Sequence, residues 1–168
     1  MLSQIIKFIQ ILSSETAPVQ ISAGIALSMI PGFSPLFSLH NLLVVLMLLM
    51  FRINIAAFML GLAFFTAFAY LLDPLFHSIG QIILTQEGLQ SFWTGLYNST
   101  FWRLTGFNNT IVMGSLLVSL AAFIPGLLLG NFLINHYRND ILVFLNNSRI
   151  FKAFKSSKLF TKIIAAAE

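Results

Sequence analysis

No cysteine occurs in the chain. That absence excludes disulfide frameworks, thiolate nucleophiles and zinc–thiolate sites, and it leaves the redox compartment open. Charge is scarce too. Only 8% of the residues are Asp, Glu, Lys or Arg, where a soluble domain carries about 25%. The few acidic residues form no carboxylate pair, and there is no serine-nucleophile motif, no phosphate-binding glycine loop and no histidine-rich metal pattern. Nothing in the sequence therefore argues for an enzyme, and no cofactor or metal is expected.

What is abundant is apolar. Hydrophobic residues make up 58% of the chain and the mean hydropathy is +0.90. The same numbers rule out disorder, which needs low hydrophobicity and high charge. A bilayer is the solvent such a surface fits. With 168 residues, the expected fold is a single all-α domain: a polytopic membrane helical bundle with amphipathic interfacial helices at both ends.

Residues 1–14 place Leu2, Ile5, Ile6, Ile9 and Leu12 at helical spacing opposite Gln4, Lys7 and Gln10, the pattern of a helix lying in the membrane interface. A signal peptide is the rival reading. Lys7 interrupts its apolar run and no convincing small-x-small site follows, so the segment is expected to be retained. Residues 18–52 read as a helical hairpin. Its first arm is short and stops at Pro31-Gly32; its second begins with Ser34 as N-cap and Pro35 at the first helical position. The hairpin is either two short spans or a re-entrant pair. Residues 55–72 form an uncharged span ending at Asp73-Pro74, where the cap-then-proline signal recurs. Residues 73–110 form a periplasmic connection rich in aromatics (Phe92, Trp93, Tyr97, Phe101, Trp102), as suits the headgroup level. Residues 111–134 are the last span, with Pro125 expected to kink it. The tail, 135–168, interleaves apolar residues with Arg149, Lys152, Lys155, Lys158 and Lys162. It reads as a basic amphipathic helix whose cations contact lipid headgroups, or act simply as a topogenic anchor.

Charge also sets the orientation. With both termini and the Arg52 turn in the cytoplasm, eight of the nine Lys and Arg residues lie inside, and only Arg103 lies outside. A re-entrant hairpin leaves that parity unchanged. The basic residues thus report topology, and nucleic acid is not an expected partner.

The candidate functional residues are polar groups beside apolar runs. Asp73 is either an intramembrane ionisable group or the cap of a helix beginning at Pro74. His77 follows four positions later and could share its face, making a proton relay conceivable without completing a metal site. His40 and Asn41 open the second arm of the hairpin, as a contact to a headgroup or ion or as an interhelical hydrogen bond. Asn108 and Asn109 stand directly before the last span, and one of the two, Asn109 or Asn108, is expected to cap it. Gly24, Gly61, Gly114 and Gly130 are expected at close helix contacts. Ser34-Pro-Leu-Phe-Ser-Leu-His40 echoes Asp73-Pro-Leu-Phe-His77. Such an echo is either a pair of broken half-helices, as at transporter binding sites, or a chance likeness in a Leu/Phe-rich chain.

Several of these stretches together carry a resemblance: Thr16-Ala-Pro18, Gly24-Ile-Ala-Leu27, Pro31-Gly-Phe-Ser-Pro35, Leu39-His-Asn-Leu42, Asp73-Pro-Leu-Phe-His77 and Phe107-Asn-Asn-Thr110. Over nearly its whole length the chain resembles an uncharacterised family of small bacterial membrane proteins. That family is similar to a branch of a broader membrane domain of unknown function, sometimes joined to glycosyltransferases in other proteins. The resemblance implies a bacterium with an outer membrane, an inner-membrane location and a larger envelope protein encoded alongside as partner. It implies no catalytic residues. The broader domain usually has Asn-Pro after the central span, where this chain has Asp73-Pro74.

The first expectation for function is therefore a non-enzymatic inner-membrane subunit that anchors or feeds a periplasm-spanning lipid-transport partner. Membrane lipids and that envelope protein are the expected partners. A small proton-coupled secondary transporter using Asp73, His77 and His40 is the alternative. A membrane-embedded lipid-modifying enzyme is a third, and it requires those three side chains to converge.

Overall fold

A computed structural model describes residues 16–141. The expected interfacial helix at 1–14 lies outside the described residues, as do Arg149, Lys152, Lys155, Lys158 and Lys162 of the tail. The described residues are helical and contain no strand: α1 (Pro18–Phe33), α2 (Leu39–Met50), α3 (Ile55–Thr85), a 3-10 turn at Glu87–Leu89, α4 (Gln90–Tyr97), α5 (Thr100–Leu104) and α6 (Thr110–His136). A π-helical turn at Tyr137–Ile141 follows.

Length separates these helices into two kinds. α3 has 31 residues and α6 has 27, about 46 and 40 Å at 1.5 Å per residue. Both are long and apolar enough to cross a membrane. α1 has 16 residues and α2 has 12, about 24 and 18 Å, short of a hydrocarbon core of roughly 30 Å.

Glycine and serine bring α1, α3 and α6 together. A Cβ on Gly24 would stand 3.3 Å from that of Ala57, one on Gly32 would stand 2.6 Å from that of Phe65, and one on Gly61 would collide with the Ser28 hydroxyl. The contacts advance in the same direction along both helices, so α1 and α3 are parallel. Gly80 meets the backbone of Thr110, and Gly114 meets the backbone of Phe76, so α3 and α6 are antiparallel. The buried serines of α1 and α6 remain compatible with this packing because each hydroxyl donates within its own helix. Ser28 Oγ reaches Ile25 O at 2.7 Å and Ser119 Oγ reaches Leu116 O at 2.9 Å. α2 makes the return between the parallel pair and adds Val44 to a core of Leu27, Ile30 and Phe58.

One end of the bundle is tied by polar groups. Asn54 caps α3, its Oδ1 accepting from Ala57 N at 2.8 Å, and its backbone N–H donates to Gln20 O at 3.2 Å. Arg138 Nη1 donates to Thr16 O at 2.8 Å. The starts of α1 and α3 thereby meet the end of α6. The outer faces are apolar: Leu49, Leu71, Leu128 and Phe132 are all largely exposed. Such a surface exceeds the scattered apolar exposure usual for a soluble monomer.

Several boundaries differ from those the sequence suggests. α3 does not end at residue 72. It runs through Asp73 and Pro74 to Thr85, so Asp73 is no N-cap and residues 73–85 belong to the helix and not to the connection. Pro74 removes one backbone donor, yet the helix continues because the Phe76 backbone and Gly80 pack on α6 while the Phe76 ring packs on Phe33 of α1. Pro31 likewise sits inside α1, which continues to Phe33. Ser34 terminates α1 and does not start α2; it is the C-cap, and Ser38 precedes α2. The last span begins one residue early and extends to His136, with Pro125 inside it. The two echoing stretches do not share a structure. One is the turn between α1 and α2; the other is interior to α3.

Candidate functional site

The turn between α1 and α2 is built around the buried Ser34. Carbonyls at the end of a helix lack partners, and Ser34 Oγ supplies one by donating to Ile30 O at 2.8 Å. His40 Nε2 lies 2.9 Å from the same Oγ. Asn41, buried at the start of α2, donates through Nδ2 to Pro35 O at 3.0 Å and Leu36 O at 3.1 Å. Its Oδ1 lies 3.3 Å from Ser34 Oγ. The hairpin turn is thus held by three side chains from one short stretch. Ser34 is the member that sequence reasoning missed as a partner of His40, because a supposed N-cap bonds forwards into the helix it starts.

A serine and a histidine at this distance have the geometry of a nucleophile and its base. Ile30 O and Asn41 Oδ1 can only accept, so a Ser34 hydroxyl that donates to one of them is matched by His40 donating through Nε2; the other imidazole tautomer would instead accept the Ser34 proton. In either case Ser34 acts as a clasp between the end of α1 and the start of α2.

His40 opens onto a cavity of about 630 Å³, within the range of about 300–1,000 Å³ typical of ligand pockets. Leu39, His40 and Leu43 of α2 form one wall, and Val112, Met113 and Leu116 of α6 form another. The third wall comes from α4, α5 and the loop after them, with Phe92, Trp93, Phe101, Trp102 and Phe107. These aromatics support one another. Trp93 stacks on Phe107 at 5.9 Å, and Phe101 and Trp102 meet edge to face at 5.5 Å. Trp93 Nε1 donates to Ile83 O at 3.1 Å, which fastens α4 to the end of α3. Aromatic density in residues 73–110 was the visible signal for this wall; its partnership with α2 was not.

The remaining candidates lie apart from that cluster. His77 Nδ1 is 2.7 Å from Thr110 Oγ1, linking α3 to the start of α6. Asp73 shares the α3 interior with His77 but, among the described residues, has no side-chain hydrogen bond or ion pair. No group of three His, Cys, Asp or Glu residues among the described residues could hold a metal. Asn109 does cap α6 as its position suggests, with Oδ1 accepting from Ile111 N at 2.9 Å and Val112 N at 3.2 Å. Asn108 lines a smaller open hollow of about 300 Å³ with Tyr97 and Phe107.

Residues 6–140 match the family described as "Uncharacterized protein conserved in bacteria (DUF2062)". The chain belongs to that family. The DUF2062 region includes every residue of the Ser34–His40 clasp and of the cavity wall. A relative from Treponema pallidum (strain Nichols), described as "Uncharacterized protein", is 24% identical over 148 residues, covering 88% of this chain and 91% of its own. No solved structure matches.

Proposed function

We propose that the protein is an integral inner-membrane protein that binds a lipid chain in the cavity between α2, α4, α5 and α6. It would act as a non-enzymatic subunit beside a larger envelope partner. The observation that carries the reading is the cavity: ligand-sized, walled by leucines and aromatics, and set beside helices whose outer faces are themselves apolar. The length of α3 and α6 supports membrane insertion. Trp93 and Trp102 support a position for the aromatic wall at the headgroup level. In this reading α1 and α2 form a re-entrant hairpin, too short to cross, whose polar turn lies beside the cavity. A hairpin of that kind disturbs lipid packing locally and eases the exit of a chain from the bilayer. The envelope partner is retained from the family resemblance, and stoichiometric co-purification of a larger envelope protein in mild detergent is its test.

The lipid site has a direct test. The chain's two tryptophans, Trp93 and Trp102, both line the cavity. A phospholipid brominated on its acyl chains, titrated into the full chain in detergent, should quench their fluorescence saturably. Leu43 lines the cavity yet is 62% exposed, so Leu43→Phe should narrow the site without disturbing the fold. It should weaken the apparent affinity several-fold, on the order of one misplaced apolar group. Quenching that rises linearly without saturation, and identically in both proteins, would mean ordinary partitioning and end this reading.

A further inference from the structure

We infer that α3 pairs with α3 of a second copy of the chain, along a polar seam that includes Tyr70, Asp73 and His77. The inference goes beyond the cavity and shares with the reading above only the insertion of α3 in a bilayer. Two different faces of α3 lie open. Phe64, Phe68, Leu71, Leu75 and Ile82 make one, wholly apolar and exposed, which suits lipid. The other follows Met59, Ala63, Thr66, Tyr70, Asp73 and His77, at alternating steps of four and three residues. That alternation is the a and d repeat of two helices packed side by side. None of the six is buried in the isolated chain, and Tyr70 is 76% exposed.

Lipid cannot match the polar members of this face. Among the described residues, neither Tyr70 nor Asp73 has a side-chain hydrogen bond, and Asp73 has no ion pair. Gly80 meets the start of α6, and Asp73 lies about 10 Å of helix deeper into the span. Ionisable groups at such depth face protein or a watery path, because lipid offers them no partner. No Lys or Arg occurs in α1, α2, α3 or α6 to neutralise the carboxylate. The described chain begins and ends beside Asn54, at the far end of α3.

A second copy supplies what is missing. Two copies inserted in the same orientation run their α3 helices parallel, so in a two-fold pair the seam meets itself at matched depth. Asp73 brings an acceptor, and the phenol of Tyr70, one turn away, brings a donor, whichever nitrogen of His77 carries its proton. The pair makes that bond twice. His77 holds Thr110 Oγ1 through Nδ1, which leaves its Nε2 for the seam. The small Ala63 lets the backbones approach. Because the seam carries both donor and acceptor, it needs no cation from another protein.

The chain has no cysteine, so in purified protein a single introduced thiol forms a disulfide only with another copy. Full-length Ala63→Cys and Leu71→Cys, reconstituted separately in phospholipid vesicles at a high lipid-to-protein ratio, are oxidised with iodine, and dimers are read on denaturing gels. Ala63→Cys should cross-link roughly tenfold faster than Leu71→Cys, because a docked seam raises the effective thiol concentration. Adding Asp73→Leu to Ala63→Cys should slow cross-linking about tenfold, the order expected for two interhelical hydrogen bonds. Asp73→Asn keeps an acceptor oxygen and should retain most of the rate. Equal rates at the two positions would mean random collision and overturn the dimer, and faster cross-linking of Leu71→Cys would overturn the choice of face. That comparison leaves Asp73 in place, so it decides the matter even if Asp73→Leu fails to fold. Undiminished cross-linking in a folded Asp73→Leu protein would overturn the polar seam as the basis of pairing. None of these results touches the lipid site, whose quenching is read at Trp93 and Trp102. Failure of the protein to insert in vesicles would overturn the membrane reading and this inference together.

Discussion

Gly114 and Gly80 set how near α3 and α6 can come. A methyl on Gly114 would run into the carbonyl of Phe76, and one on Gly80 into the backbone of Thr110. Neither obstacle is the free end of a flexible side chain, so the helices themselves must part. Gly114→Ala should therefore destabilise the fold by roughly 1–3 kcal/mol, the usual cost of overpacking. Gly95, on α4, has nothing within 4 Å of the place an alanine methyl would take, so Gly95→Ala is the matched control. It should be neutral or stabilising by up to about 1 kcal/mol through helix propensity. Thermal melts of the two variants in detergent separate these outcomes; equal melting would refute the close-approach argument. Asn41 acts at the same scale. Its Nδ2 ties two turn carbonyls, Pro35 O and Leu36 O, and the site is buried. Asn41→Leu leaves both without that donor and should cost roughly 1–3 kcal/mol in the same assay. Asn109→Ala, which removes an exposed cap from α6, should cost about 1 kcal/mol.

Helix ends were the part of the sequence most open to misreading, and the reason is physical. Proline after a capping residue signals a helix start when water can satisfy the chain that precedes it. At Asp73-Pro74 the surrounding apolar residues offer no such alternative, and packing of the Phe76 backbone and Gly80 on α6 holds the helix through the missing donor. At Ser34 the same signal misleads because a serine can equally close the preceding helix by bonding back to Ile30 O. Asn109, by contrast, was legible, since it precedes a long apolar run with no competing helix before it. The glycine contacts at Gly24, Gly61 and Gly114 were legible for the same reason. That Ser34, His40 and the aromatic wall meet was not, because it depends on the turn geometry and on α4 and α5 folding back. The short hairpin carries a prediction at this scale. Phe37 at its turn is fully exposed in the isolated chain, yet a re-entrant hairpin would bury it in lipid. Phe37→Cys should react with a membrane-impermeant thiol reagent at least tenfold more slowly than Gly88→Cys, because lipid excludes the charged reagent. Equal rates from the same side would show that the hairpin crosses the bilayer.

The absence of cysteine makes this chemistry unusually clean for the molecule as a whole, because any thiol introduced is unique in the chain. Orientation is the global property it can decide. α3 and α6 are antiparallel, so the start of α3 and the end of α6 share one end of the bundle, while the segment from Glu87 to Leu104 belongs to the other. The balance of Lys and Arg then favours the cytoplasm for the first end, since it gathers Arg52 and Arg138 whereas the second has Arg103. Gly88 suits a probe of the second end, with open space around the position where its side chain would grow. In intact spheroplasts Gly88→Cys should label with the impermeant reagent and Arg52→Cys should not; in inside-out vesicles the pattern should invert. Labelling of Arg52→Cys from outside would reverse the topology and place the aromatic wall on the cytoplasmic leaflet. Access of both from one side would mean that α3 does not cross at all, and the apolar faces of α3 and α6 would then have to be covered by protein instead of lipid.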